Sequence, residues 1–364
     1  MRVMIVNGSP RKGGYTSDMT ALFRKGAEAA GGTVEEIFLR KQKITPCIGC
    51  FKCWVGETAG RCIFADDMDD ILERFWEADA LVLASPMYYY TFSSLMKLFL
   101  ERLFPTTQPG LDTGGALGLG RNRRRFPEKG PKKCALVATC GLRNPKTMHA
   151  MSSTFDLVCD AIAADPVGRL LRPESNLLDF TQAKPKVMRA VQAAFTQAGG
   201  ELVKQGRITP ETETAAVTPF SNDEGIFAKH FESYWTIAGE MGGGWNDRKA
   251  LAVRAYEDPR IIIRELASYL DPTVAEDRRF VIQFVITDSP HGHWHLSVAD
   301  GVCIAVEALH PEPNLTLTMN YRTFADISLQ KTPSLAVIRR GLVDIEGDKR
   351  LLAEFGRLFP RPAF

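Results

Sequence analysis

The chain has 364 residues, 45% of them hydrophobic and 24% charged, with 45 Lys and Arg against 43 Asp and Glu. That balance excludes a disordered tail, a collagen-like repeat and a basic surface that demands nucleic acid, and the length exceeds what one hydrophobic core usually serves, so two domains are expected. No run reaches the ~18 consecutive apolar residues of a membrane span, and Met1-Arg-Val-Met-Ile-Val enters a strand with no export signal, so a reducing cytoplasm is the expected compartment.

Short apolar runs at residues 3–6, 34–39, 80–84, 134–139 and 167–171 read as strands, and amphipathic stretches at 17–30, 68–76, 93–103, 147–163 and 185–204 read as helices. Strands alternating with helices imply an α/β, doubly wound, parallel five-stranded sheet over residues 1–205, with right-handed crossovers. Ligands of such sheets sit beyond the carboxyl ends of the strands. The loop Gly8-Ser-Pro-Arg-Lys-Gly-Gly-Tyr-Thr-Ser17 leaves the first of those ends, and its small and hydroxyl residues before a helix suit a phosphate, with Arg11 adding charge. It lacks both G-x-G-x-x-G and a Gly-Lys-Ser/Thr ending, so a monophosphate is expected rather than a dinucleotide or triphosphate.

Four of the eight cysteines lie in Cys47-Ile-Gly-Cys50-Phe-Lys-Cys53 and at Cys62. Two-residue gaps let successive thiolates of one tight loop face a common centre, and in a reducing compartment metal or redox chemistry is favoured over disulfides. Three readings stay open: a 4Fe-4S cluster, thiols without metal, or zinc. Residues 105–133 form a long Gly- and Arg-rich insertion, and its run Arg121, Arg123, Arg124, Arg125 reads as a solvated loop or subunit contact. His149 is expected at the surface or capping a helix, and Cys134 and Cys159 as buried structural thiols. No Ser-His-Asp set is present, and no catalytic side chain is identified.

Residues 206–257 read as a linker with a helical segment at 224–240, carrying Phe227, Phe231 and Trp235 on one face. Residues 258–364 read as a smaller α+β unit with a helix at 261–270, strands at 280–287, 293–298, 302–308 and 313–319, and helices at 321–329 and 349–358. His291, His293 and His295 share one strand face, which a solvated strand start explains better than a metal.

Gly8-Ser-Pro-Arg11, Ser85-Pro-Met-Tyr-Tyr89 and the cysteine segment followed by Asp66-Asp67-Met68 resemble the flavodoxin-like NAD(P)H-dependent FMN reductases, in particular their iron-sulfur flavoprotein branch. The resemblance implies FMN, with its phosphate at Ser9, Arg11, Thr16 and Ser17, its ring against Pro86, Met87, Tyr88 and Tyr89, and a third wall from Thr139, Cys140 and Gly141. The bland alternative for the tyrosines is core or interface packing. The resemblance further implies a 4Fe-4S cluster on Cys47, Cys50, Cys53 and Cys62, NADH or NADPH as co-substrate, an electron acceptor it does not name, and a homo-oligomer. Tyr15 stands where many relatives carry Asn.

The expected activity is that of an FMN-dependent oxidoreductase; the rival is a non-enzymatic electron carrier between protein partners. Pro313-Asn-Leu-Thr-Leu-Thr-Met-Asn320 and Gly341-Leu-Val-Asp-Ile-Glu-Gly-Asp348 resemble the sterol carrier protein family, which implies a hydrophobic or lipid ligand for residues 258–364.

Overall fold

The computed structural model describes residues 1–114, 117, 118, 120–179, 185–220, 224–243, 248–329 and 331–360. The chain divides into two compact units, one of residues 1–178 with 186–220 and one of residues 179–185 with 221–364.

The first unit runs β1 (Arg2–Asn7), α1 (Tyr15–Ala29), β2 (Thr33–Phe38), α2 (Met68–Glu77), β3 (Ala80–Tyr88), β4 (Thr91–Phe92), α3 (Ser94–Glu101), β5 (Thr107–Asp112), β6 (Arg121–Arg124), β7 (Lys133–Thr139), α4 (His149–Ala161), β8 (Asp165–Arg172), α5 (Pro185–Gln205) and α6 (Pro210–Ala216). The five expected strands pair in parallel in the order β2-β1-β3-β7-β8, which is the flavodoxin-like order, and β4 adds a short antiparallel pair to β3. Inner strands β3 and β7 are almost wholly buried because helices cover both faces, whereas edge strand β2 alternates. Met68, Ile71, Leu72 and Phe75 of α2 pack with Met96 and Phe99 of α3 and Met151 and Phe155 of α4 on one face.

On the other face α1 and α5 touch through glycines. A Cβ on Gly26 would lie 1.7 Å from the Thr196 carbonyl oxygen, and one on Gly199 would lie 1.9 Å from that of Phe23.

Within the insertion β5 and β6 pair antiparallel. Of the run expected to be solvated, Arg123 is exposed, whereas two arginines are tied to backbone: Arg124 donates to the Pro131 and Ile162 carbonyls at 3.2 and 2.6 Å, and Arg125 to those of Pro105, Cys53 and Thr107 at 3.0–3.1 Å.

The second unit contains α7 (Glu224–Glu240), α8 (Arg248–Glu257), α9 (Pro259–Ala267), α10 (Pro272–Ala275), β9 (Phe280–Ile286), β10 (His293–Ala299), β11 (Val302–Val306), β12 (Leu315–Met319), α11 (Tyr321–Ser328), α12 (Ser334–Arg339), β13 (Asp344–Gly347) and α13 (Lys349–Leu358). Its sheet, β11-β10-β9-β12-β13, is antiparallel except for the β9–β12 pair. Trp294, Leu296, Ile282, Phe284, Leu315 and Ile263 centre its core. The stretch 206–257, expected as a linker, is divided: α6 packs on β8, and α7 and α8 pack with α9 through Tyr234, Ile237, Leu251 and Ile261. Among the described residues no helix is long and apolar enough to cross a membrane.

Candidate functional site

Strand order reverses between β1 and β3, since the chain leaves β1 for β2 on one side and returns to β3 on the other. A crevice opens at such a point beyond the strand ends. The three loops singled out in the sequence leave the carboxyl ends of β1, β3 and β7, three adjacent strands.

The first loop is locked from beneath. The Gly8 amide donates to the Ala84 carbonyl at 2.8 Å, the Ser93 hydroxyl donates to the Gly8 carbonyl at 2.6 Å, and the Ser9 amide donates to Asn7 Oδ1 at 3.0 Å. A Cβ on Gly8 would meet Met96 Cβ at 2.9 Å, so glycine is required there. Helix α1 starts after Gly14, which gives it no side-chain cap, and a helix N-terminus is a place that suits an anion.

The expected phosphate hydroxyls already have partners. Thr16, 1% exposed, shares a 2.8 Å hydrogen bond with Thr139 Oγ1, and Ser17 Oγ accepts from Asn7 Nδ2 at 3.2 Å. The Thr16–Thr139 bond joins the first loop to the third. Tyr15 is buried, with its hydroxyl donating to the Asn176 carbonyl at 3.3 Å.

The second loop is the β3–β4 hairpin. Pro86 is buried and Met87 half-buried, while Tyr89 and Tyr90 occupy the turn with φ of 49° and 69°. Two left-handed residues in succession suit Asn-Gly, and two tyrosines there are strained. Tyr88, Tyr89 and Tyr90 are all exposed, Tyr89 at 96%, so none is a core residue of this chain.

In the third loop Cys140 is buried, its amide donates to the Arg172 carbonyl at 2.9 Å, and burial pushes its thiol pKa up. Gly141 follows, half-buried.

The four clustered cysteines line one small pocket with Phe51, Phe64, Arg102 and Phe104. Cys53 is buried, Cys47 and Cys62 are half-buried and Cys50 is exposed. Burial, then the charges of Cys62, Cys47 and Cys50, push the Cys53 thiol up, so the four sulfurs act on one another electrostatically. Among the described residues no three His, Cys, Asp or Glu side chains are close enough to hold one metal ion. The thiols are therefore gathered around a pocket but not at the spacing of a tetrahedral zinc site.

Sequence reasoning noted Asp66 only as part of a motif and passed over the other residues that fasten this loop. Asp66 accepts from the Thr45 and Met68 amides at 2.8 and 3.1 Å and from Arg102 Nη1 and Nη2 at 2.7 and 3.1 Å. Arg102, 1% exposed, also donates to the Thr45 carbonyl at 2.6 Å. Trp54 donates to the Phe104 carbonyl at 3.1 Å. Asp66 follows the cysteines directly in the sequence; nothing there signals Arg102.

Burial opposes ionisation of Asp66, but the bonds from Arg102, Thr45 and Met68 outweigh it and hold its pKa below the usual carboxylate range. A depressed carboxylate contributes stability that is complete above the unfolded value, about 3.9, and is lost as pH falls through the folded one. Hydrogen-exchange protection factors in residues 43–66, corrected for the intrinsic rate at each pH, are expected to be unchanged from pH 7 to 5 and to fall below about pH 4.

Helix α3 connects the two regions. At one end Ser93 caps it and holds Gly8; at the other, Arg102 ends it in the cysteine pocket.

Residues 1–124 match the family model of NADPH-dependent FMN reductases. The matched segment includes the first two loops and the cysteines, but not Thr139, Cys140 and Gly141. Similar proteins include an iron-sulfur flavoprotein of Archaeoglobus fulgidus, 38% identical over 29% of this chain and 46% of that protein. Another, from Methanocaldococcus jannaschii, is 36% identical over 34% of this chain and 64% of that protein. The chain thus spans less than two thirds of these relatives' length. Among solved structures, an NAD(P)H:quinone oxidoreductase from Methanothermobacter marburgensis aligns at 15% identity and a TM-score of 0.43, over 56% of this chain and 98% of that one.

Residues 258–364 match the model of the alkyl sulfatase C-terminal domain, a family their motifs had not suggested. The three histidines there do not converge: His291 Nδ1 meets Glu307 at 2.7 Å, His295 bonds the Ala308 carbonyl at 2.8 Å, and His293 is exposed.

Proposed function

We propose that the chain is an FMN-dependent NAD(P)H oxidoreductase that passes electrons from NADH or NADPH, through FMN and a 4Fe-4S cluster, to an acceptor its residues do not identify. The observation that carries this reading is that the loops after β1, β3 and β7 leave three adjacent strand ends at the switch point, while α3 runs from the first of them to a pocket lined by four thiols. The match of residues 1–124 to FMN reductases supports it. When bound, the flavin supplies hydride acceptance from the nicotinamide, and the cluster supplies transfer of single electrons.

The protein's part is positioning. The N-terminal turn of α1, with Ser9 and Arg11, would hold the phosphate. Thr16 and Ser17 complete that cradle: Ser17 Oγ accepts from Asn7, which leaves its O–H able to donate, and Thr16 ties the loop to Thr139. Pro86, Met87, Tyr88 and Tyr89 form a flat wall, and Thr139, Cys140 and Gly141 a third side that keeps water from the ring. Cys47, Cys50, Cys53 and Cys62 supply the thiolates. Their fit to an iron-sulfur centre rests on the shared pocket and on a buried guanidinium beside them, which offsets the charge of four thiolates.

Arg11→Ala is expected to weaken FMN binding by about 10- to 100-fold, the ~1.5–3 kcal/mol of a charged hydrogen bond, measurable by quenching of flavin fluorescence. The second unit is proposed to take an apolar ligand, as its sterol carrier-like motifs and its match to a domain of alkyl sulfatases suggest; displacement of a fluorescent fatty acid tests this.

The deciding experiment on the first unit is flavin, iron and sulfide analysis of anaerobically purified protein, with steady-state oxidation of NADH and NADPH against an artificial acceptor. About one FMN per chain with turnover is expected. Colourless protein that refuses added FMN would refute the reading, and reduction without turnover would make the chain an electron carrier.

A further inference from the structure

Arg102 is the last turn's cap on α3 and is 1% exposed. Two of its three nitrogens are explained by structure: Nη1 donates to Asp66 and the Thr45 carbonyl, and Nη2 donates to Asp66. The third is not. Nε is buried and has no hydrogen-bond partner. An unmet N–H of a buried guanidinium costs about 1–3 kcal/mol or more, which native structures rarely tolerate without a purpose.

What shares the pocket with Arg102 is Cys47, Cys50, Cys53 and Cys62. Among the groups that act on the Arg102 charge, the thiolates of Cys62 and Cys47 stand beside Asp66, although burial itself opposes that charge. The helix end accounts for a cation at this position, and Asp66 accounts for its depth. Neither accounts for the third donor.

Building on the iron-sulfur reading above, we propose that Arg102 donates its Nε–H to a cysteine sulfur of the assembled four-thiolate centre and thereby sets that centre's reduction potential. The centre gains one electron on reduction, and the arginine keeps its proton throughout. The added negative charge strengthens both the N–H···S bond and the attraction to the guanidinium, so the reduced form is stabilised and the potential is raised. The same cation lowers the cost of bringing four thiolates together on a partly buried loop.

The test is redox titration of the anaerobic protein, followed by electron paramagnetic resonance, in wild type, Arg102→Lys and Arg102→Gln, with iron and sulfide counted in each. The expected result is a potential lower in Arg102→Gln by at least about tenfold in the reduction equilibrium, about 59 mV for one electron. A smaller shift in the same direction is expected for Arg102→Lys, which keeps the charge but loses the planar fork. Loaded variants with the wild-type potential would overturn the role of Arg102 and leave the cluster standing; iron-free wild-type protein would overturn the cluster itself.

Because Arg102 also anchors Asp66, the variants can fail to load, and a second measurement avoids that. Arg61→Gln protein labelled with 15N-arginine keeps Arg102 and removes the arginine adjacent to Cys62. Its reduced centre should show a 15N hyperfine coupling that the loaded Arg102→Lys protein lacks, since the labelled Arg125, which donates to the Cys53 carbonyl, is present in both. Absence of that coupling would overturn the proposal without any change at Arg102.

Discussion

Gly199→Ala is expected to destabilise the first unit by about 3 kcal/mol, the upper part of the range for overpacking. The added methyl would stand 1.9 Å from the Phe23 carbonyl oxygen and 2.8 Å from the Ala27 nitrogen, both backbone atoms that cannot rotate aside. Relief requires α1 and α5 to separate. Because α1 begins at Tyr15, directly after the first loop, the separation is expected to disturb that loop as well. In a unit of this size the loss corresponds to a fall in Tm of about 6–12 °C, read by calorimetry. Gly200→Ala is the control: its Cβ would lie 3.6 Å from the Gly26 carbonyl oxygen, an ordinary contact, and the gain in helix propensity, up to ~1 kcal/mol, is expected to leave stability equal or higher.

Arg172→Ala should cost about 3–5 kcal/mol, the usual result of removing one partner of a buried ion pair. Arg172 and Glu174 are both 0% exposed. The guanidinium donates to the Pro173, Ala216 and Thr218 carbonyls at 2.6, 3.0 and 2.8 Å, lies 4.9 Å from the Phe220 ring centre, and pairs with Glu174 at 3.4 Å. Burial pushes the Arg172 pKa down to about 10, with Glu174 opposing, so the group is charged at neutral pH and Glu174 depends on it. Arg143 Nε at 3.4 Å offsets only part of the loss. Denaturant titration of Arg172→Ala measures it. The double variant Arg172→Met, Glu174→Gln removes both charges and is expected to recover most of the difference. Since the Arg172 carbonyl accepts from the Cys140 amide, the single variant should also loosen the third loop.

The parallel sheet was legible because buried strands such as residues 80–84 and 134–139 are continuous apolar runs that only a doubly covered sheet accommodates. The β5–β6 pair was not. Its strands carry no apolar alternation, and they are held by arginines reaching distant carbonyls, a three-dimensional fact with no periodic trace. For the same reason Arg124 and Arg125 looked like surface charge.

At the candidate site the glycines and serines of residues 8–17 announced a tight strand-to-helix turn. That Thr16 would spend its hydroxyl on Thr139 depended on the start of α1 meeting the end of β7. The cysteines declared themselves by spacing, whereas Arg102 follows them by 40 positions and enters their pocket only because α3 runs between β4 and that loop. In the second unit the order of helices and strands was readable, but its affinity to alkyl sulfatase domains was not, since binary patterning specifies layers and not lineage.

Helix α3 also works as a measuring rod. Nine residue steps separate Ser93, which grips the first loop, from Arg102, so the two anchorages stand about 14 Å apart along a rigid axis. One inserted residue would lengthen that rod little but would turn its far end by about 100°, swinging the guanidinium out of the cysteine pocket while the near end stayed put. Spacing and orientation are thus geared together, and a change of reach that keeps both ends seated has to come in whole helical turns.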